Sequence, residues 1–249
     1  MGPFPLPRFI FPSMPSSAWQ PHVDAMLAYH RGDTAARIIV HDDHGDCDAH
    51  EIAHFFRAAE QFPLLEQKAI ELCRGRVLDV GAGSGCHSLV LQELGIDVCA
   101  LELEPELCDM MRDRGVRNVS CGDIRVLDAE PFDTVLMMMN GLELAGSLAG
   151  LGCLLTKLHS LVVSSGLVLA DSTDLRPTHG SEADPCLRED GRYVGELTFQ
   201  LEYEGRKGTP FQHLYVDPDT LRDHAVGAGW DLTIVCEGDF GHYLVQLTH

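Results

Sequence analysis

The chain has 249 residues, 45% of them apolar, enough for one large domain with a buried core or a domain with a small appendage. Its 18 Lys and Arg stand against 38 Asp and Glu, and a formal charge of −20 repels a phosphate backbone, which argues against a nucleic-acid substrate. Nine cysteines without a C-x-x-C pair predict free thiols in a reducing compartment, with the cytoplasm as the expected location and neither a signal peptide nor a membrane-spanning run in view.

Six of the first 21 residues are Pro (Pro3, Pro5, Pro7, Pro12, Pro15 and Pro21), a spacing that denies the backbone helical continuity and predicts a Pro-rich arm over 1–21. Arg37-Ile38-Ile39-Val40 reads as a short strand and the acidic, His-rich stretch 41–48 as a loop. Asp48, three residues before Glu51, is close to a capping pair and opens a helical pattern with Ile52, Phe55, Phe56 and Ala59 on one side. Pro63 ends that helix and starts a second that runs to about Cys73, so 22–73 is expected to form a helical lid segment. His41, Asp43, His44, Asp46, Cys47, His50 and His54 invite a metal-site reading, with His50 and His54 at i and i+4. No second ligand pair follows at a recognisable spacing, and the expectation is a solvated acidic loop without metal.

From Gly75 onward short apolar runs alternate with helical patterns, as in parallel strands joined by crossover helices. Strands are expected at 77–80, 97–101, 118–121, 134–139 and 167–170, and Leu148, Leu151, Leu155 and Leu158 mark a helix over 147–161. Beyond Asp171, Leu197, Phe199, Leu201 and Tyr203 alternate with Glu196, Thr198, Gln200 and Glu202, the period of a strand with one wet face. With the turn Gly205-Arg206-Lys207-Gly208 and a return strand 211–216, this predicts a hairpin inserted at about 193–216. Asp217-Pro218 opens a further helix, and 230–236 with 243–248 make a closing antiparallel hairpin.

The strand at 77–80 delivers the chain into Gly81-Ala82-Gly83-Ser84-Gly85, a turn that opens a helix. Glycines let backbone pass close to a ligand, and free N–H groups at a helix start favour an anionic group. A dinucleotide fingerprint spaces its glycines G-x-G-x-x-G, whereas here Cys86 takes the sixth place and Asp79 sets an anion where a pyrophosphate would be opposed. A ligand carrying an ammonium group fits better. Val77-Leu78-Asp79-Val80-Gly81-Ala82-Gly83-Ser84-Gly85 resembles motif I of the class I S-adenosylmethionine-dependent methyltransferases. Further positions resemble that family in chain order. Val98-Cys99-Ala100-Leu101 ends in Glu102, where the family's ribose-holding acid stands, and Leu103-Glu104-Pro105 follows it. Gly122-Asp123-Ile124 is similar to the pair whose acid reaches the adenine amino group, and Met139-Asn140-Gly141 ends the fourth strand at the family's catalytic edge.

The resemblance is strong over 74–171 and topological over 217–248. It implies an α/β fold over 74–249: a Rossmann-like, seven-stranded mixed sheet with helices on both faces and a closing antiparallel hairpin, into which the alternation at 193–216 sets a β-hairpin after the fifth strand. It also implies S-adenosyl-L-methionine as cofactor, held by Asp79, Gly81, Ala82, Gly83, Gly85, Glu102, Leu103, Asp123, Ile124, Met139 and Asn140. Methyl transfer is an in-line displacement in which placement supplies much of the rate, with proton removal added for some acceptors. His87 and Asn140 are the expected catalytic-site residues, and Glu143, Asp171 and His213 are further candidates at the same edge. His87 reads equally as a base or as a histidine packed beside the cofactor. A small-molecule acceptor is expected, with no nucleic-acid or membrane partner. Two alternatives stay open: a cofactor-binding regulatory protein without turnover, and a nicotinamide-dependent oxidoreductase, the latter disfavoured by Cys86 and Asp79.

Overall fold

A computed structural model describes residues 16–249, and most of the expected arm over 1–21 lies outside the described residues. The chain is already helical at Ser16: α1 (Ser16–His30) carries Pro21 inside it. Pro21 has no N–H to bond back to the carbonyl of Ser17, and that carbonyl instead accepts the N–H of Thr209 at 3.3 Å, while the two hydroxyls meet at 2.8 Å. The proline thus leaves an acceptor through which α1 docks on the inserted segment.

β1 (Arg37–His41) is followed by β2 (Cys47–Glu51), where a loop and a helix are expected from the sequence. The two strands pair antiparallel from Arg37 opposite Glu51 to His41 opposite Cys47, and Asp42 closes the turn by accepting the N–H groups of His44 and Asp46 at 2.9 Å each. Glu51, read from the sequence as half of a helix cap, bonds Arg37 at 2.7 Å across the hairpin. Cross-strand pairing has overridden a local helical pattern. Only a 3-10 turn, Ile52–Phe56, survives of the expected helix, so His50 and His54 do not share a helix face. A second such turn (Ala59–Gln61) leads to α2 (Leu64–Leu72), which starts at Pro63 as expected.

The remaining elements alternate in order: β3 (Arg76–Val80), α3 (Cys86–Glu93), β4 (Asp97–Glu102), α4 (Pro105–Asp113), β5 (Val119–Cys121), β6 (Phe132–Met137), α5 (Leu148–His159), β7 (Val162–Thr173), the short α6 (Arg176–His179), β8 (Glu196–Tyr203), β9 (Arg206–Lys207), β10 (Phe211–Leu214), α7 (Pro218–Gly227), β11 (Asp231–Glu237) and β12 (His242–Thr248). Seven strands form one mixed sheet in the order β11-β12-β7-β6-β3-β4-β5, parallel from β7 to β5, with β12 antiparallel to β7 and β11 antiparallel to β12. Successive strand residues serve opposite faces. Leu78, Val135 and Val168 pack with the leucines of α5 and with Leu221 of α7, while Val77, Leu136 and Leu167 pack with Ala69 and Ile70 of α2 and Leu91 of α3. A parallel sheet covered on both sides needs apolar residues on both faces, which is why its strands read as continuous runs. Strand order reverses between β3 and β6, so the crevice beyond their carboxyl ends is where such a sheet holds a ligand.

The inserted segment makes the expected hairpin, with Phe211 opposite Phe199 and Leu214 opposite Glu196, but it does not stand alone. β1 pairs with the other edge of β8, so a second sheet runs β10-β8-β1-β2, with β9 on the far end of β8. It is sealed on one side by α1 and α4, whose Ala18, Met26, Leu107 and Met110 pack with Ile38, Leu201 and Tyr203. Among the described residues no helix is long and apolar enough to cross a membrane, and the nine cysteines are free.

Candidate functional site

One cavity of about 1260 Å³ extends from the carboxyl ends of β3, β4, β6 and β7 to the face of the second sheet. Its floor is the glycine turn. Gly81, Gly83 and Gly85 all have positive φ, and a Cβ built on Gly81 meets nothing within 4 Å, so the turn presents bare backbone to the cavity. Gly85 differs because it faces inward: at φ +77° its added Cβ would lie 2.8 Å from Val116 Cγ2 and 3.1 Å from Met111 Cγ. Gly85→Ala is therefore expected to lower stability by about 2–4 kcal/mol, from left-handed backbone strain and core displacement together, and thermal melting will read it. An unchanged melting temperature would contradict this packing.

Glu102, at the end of β4, ties the turn to the neighbouring strand. One carboxylate oxygen accepts the N–H of Gly83 at 2.9 Å, and the other accepts those of Leu103 at 2.8 Å and Glu104 at 3.1 Å. Burial pushes its carboxyl above the ordinary value, against the pull of those N–H groups. Asp79 is buried, accepts the Ser88 hydroxyl at 2.7 Å, and is also pushed upward by burial. Leu103, Ile124 and Asp123 line the same end of the cavity, but the Asp123 carboxylate is already engaged by Arg125 at 2.6 Å.

Met139 and Asn140 follow β6 as two consecutive non-glycine residues in the left-handed region, at φ 64° and 62°. The fourth strand therefore ends at Met137, two residues short of its expected end. Such backbone costs about 1–3 kcal/mol per residue and persists only where neighbours enforce it. Here Asp171 accepts the N–H of Asn140 at 2.8 Å and of Gly141 at 3.3 Å, and the Thr173 hydroxyl donates to the Asn140 amide oxygen at 2.8 Å. Burial pushes the Asp171 carboxyl up to about 6.

His87 lines the cavity, but its ring is committed. Nε2 lies 2.9 Å from Glu66 of α2, whose other oxygen accepts from Arg57 at 2.6 Å, and Nδ1 lies 3.8 Å from the Cys86 sulfur. Burial opposes a charge on His87, yet the Cys86 sulfur, the Glu66 hydrogen bond and the Asp79 charge outweigh it and hold the imidazole well above its ordinary pKa. A ring held protonated is a buried cation and has no lone pair with which to take a proton. Glu66 was not legible as its partner, because it lies 21 residues away with no motif linking the two. The 3-10 turn Ile52–Phe56 is pinned to the glycine turn, with the Ser84 hydroxyl donating to the Phe55 carbonyl and Arg114 stacked over the Phe56 ring at 4.6 Å.

The opposite wall comes from the second sheet and α1. Leu197, Phe199, Phe211, His213 and Tyr215 face the cavity with Trp19, His22 and Val40. His213 and Glu143, candidates on sequence grounds, meet at 3.0 Å. His22 is held near pKa 4 by burial. Among the described residues, no group of three or more His, Cys, Asp and Glu is arranged to hold a metal ion.

A family model described as a methyltransferase domain matches residues 78–143. A search of the curated proteins finds no match. Among solved structures the chain is similar to a SAM-dependent methyltransferase from Bacteroides fragilis, crystallised in complex with S-adenosyl-L-homocysteine. The two are 34% identical with a TM-score of 0.83, covering 94% of this chain and 96% of that one. The CcbJ methyltransferase from Streptomyces caelestis is 16% identical, with 76% of this chain and 93% of that chain covered and a TM-score of 0.59. The sugar N-methyltransferase KedS8 from a Streptoalloteichus species is also 16% identical, with 82% and 96% covered and a TM-score of 0.53. These last two share the fold.

Proposed function

Because the chain belongs to the S-adenosylmethionine-dependent methyltransferases, we propose that it methylates a small-molecule acceptor seated between the glycine turn and the second sheet. S-adenosylmethionine supplies an electrophilic methyl group on a sulfonium. In this reading the open backbone of Gly81, Ala82 and Gly83 cradles its amino-acid end beside Asp79, whose anion suits an ammonium group. Glu102 holds the ribose hydroxyls, Leu103 and Ile124 flank the base, and Asp123 keeps a lone pair for the adenine amino group despite its pairing with Arg125. Gly85 holds the turn in shape rather than touching ligand. Met139 and Asn140 form the strained rim where the methyl group meets the acceptor, and His87 is a positioning cation behind the turn rather than a base.

The observation that carries the small-molecule reading is the cavity itself. Sites for single small ligands run to about 300–1000 Å³, so a volume near 1260 Å³ accommodates a cofactor and a small second molecule together. The acceptor half is walled by Phe199, Phe211 and Tyr215 from the inserted segment and by Trp19 and Val40 from the N-terminal one. Incubation with methyl-tritiated S-adenosylmethionine and a cell extract is expected to put label into the low-molecular-mass fraction. Label confined to protein or nucleic acid would overturn the reading.

A further inference from the structure

His213 sits on β10 and is 5% exposed, its ring between those of Phe199 and Tyr215 at centroid distances of 4.5 and 4.4 Å. Nδ1 is 3.0 Å from a Glu143 oxygen, whereas Nε2 is buried and has no hydrogen-bond partner. A buried polar atom left unpaired costs about 1–3 kcal/mol, and its retention in a cavity wall points to a partner that arrives with the ligand. A neutral imidazole whose proton sits on Nδ1, on the side of that carboxylate, keeps its lone pair on Nε2. Glu143 belongs to the 3-10 turn Gly141–Ala145 that begins directly after Asn140 and whose first N–H bonds Asp171. The imidazole is therefore braced from the same strand end that forms the transfer rim.

The charge around the cavity restricts what can enter. Among the described residues that line it are twelve Asp and Glu, while Arg125 is the single Lys or Arg and is paired with Asp123 at the cofactor end. An acceptor bearing a carboxylate or phosphate would meet a field of its own sign on top of an apolar wall.

Building on the acceptor cavity proposed above, we infer that His213, oriented by Glu143, accepts the proton of an amine or alcohol whose body is aromatic or apolar and carries no negative charge. The acceptor's lone pair forms the new bond to the methyl carbon, the carbon–sulfur bond breaks with its electrons left on sulfur, and the acceptor's proton passes to Nε2. Water takes that proton as product leaves.

The full chain loaded with S-adenosylhomocysteine, labelled with ¹⁵N histidine, tests this without a known acceptor. At neutral pH, His213 is expected to be the Nδ1–H tautomer with a bare Nε2, and Glu143→Gln is expected to abolish that preference. A proton on Nε2 in the parent protein overturns the assignment. In the same sample, phenethylamine at millimolar concentration is expected to bind and shift the His213 resonances, whereas 3-phenylpropionate is not. Equal or better binding of the carboxylate, or no binding of the amine, overturns the acceptor class. Calorimetry with S-adenosylhomocysteine on that sample reports the cofactor site separately, so a failure of the underlying reading is distinguishable. His213→Gln should keep S-adenosylhomocysteine affinity within about twofold and lose 10²–10⁴-fold in transfer, the usual contribution of a general base.

Discussion

Replacing Glu102 by Ala is expected to weaken S-adenosylhomocysteine binding by roughly two to four orders of magnitude. The carboxylate stands at the end of β4 with three backbone N–H groups already on it, so it is fixed before any ligand arrives. Two ribose hydroxyls donating to it would make charge-assisted bonds worth about 1.5–3 kcal/mol each, and 1.4 kcal/mol is a factor of ten. The truncation also removes the acceptor of the Gly83 N–H, loosening the cradle it spans. Glu102→Gln keeps one acceptor oxygen and should lose less. Calorimetry on both variants is the measurement, and a loss under tenfold for Glu102→Ala would remove this carboxylate from the ribose site.

The second large effect is on stability. Glu66→Ala should cost about 3–5 kcal/mol, because it strands two cations, Arg57 and His87, whose side chains are 9% and 6% exposed. For a chain of this size that is a fall of roughly 6–20 °C in melting temperature. The pH dependence follows from the two partners. Burial raises the Glu66 carboxyl, but His87 and Arg57 more than reverse this and leave it below its ordinary 4.5; its contribution is present above that value and lost as pH falls through the folded one. The His87 pKa is raised above 6.5, so its contribution is complete below 6.5 and lost as pH rises through the folded value. The stability gap between parent and Glu66→Gln should be widest between about pH 4.5 and 6.5 and narrow on either side. A gap that keeps growing above pH 8 would contradict a protonated His87.

The glycine turn and the strand-end acid were legible because their signals are local. A strand, three glycines at alternate positions and an acid one strand later lie within 27 residues, and each has a short-range cause. The alternation of Leu197, Phe199, Leu201 and Tyr203 likewise revealed β8. What stayed hidden depends on pairing across the chain. All five residues of β2 are exposed, so no apolar pattern marks it, and its backbone is extended because β1 lies beside it. The prolines near the start masked α1, whose stability comes from packing on α4 and the second sheet rather than from propensity. Glu66 reads as an ordinary helix-face carboxylate until the fold brings His87 against it. The expected strand end at Met139 failed for a different reason, since its left-handed backbone is imposed by Asp171 from another strand.

The second sheet joins residues 37–51 to residues 196–214, with β3 to β7 of the main sheet between them. During synthesis, β1 leaves the ribosome with one edge answered by β2 and the other waiting for a strand some 150 residues away. At about 5–20 residues per second that wait lasts roughly 8–30 s, long enough for the parallel core to form first. An unanswered strand edge is a template for pairing with other chains, and the acidic tip at Asp42, Asp43, Asp46 and Asp48 is the kind of like-charged flank that keeps such edges apart. The cavity wall made by the second sheet thus closes only after β3 to β7 have been made, on a strand added late in the chain.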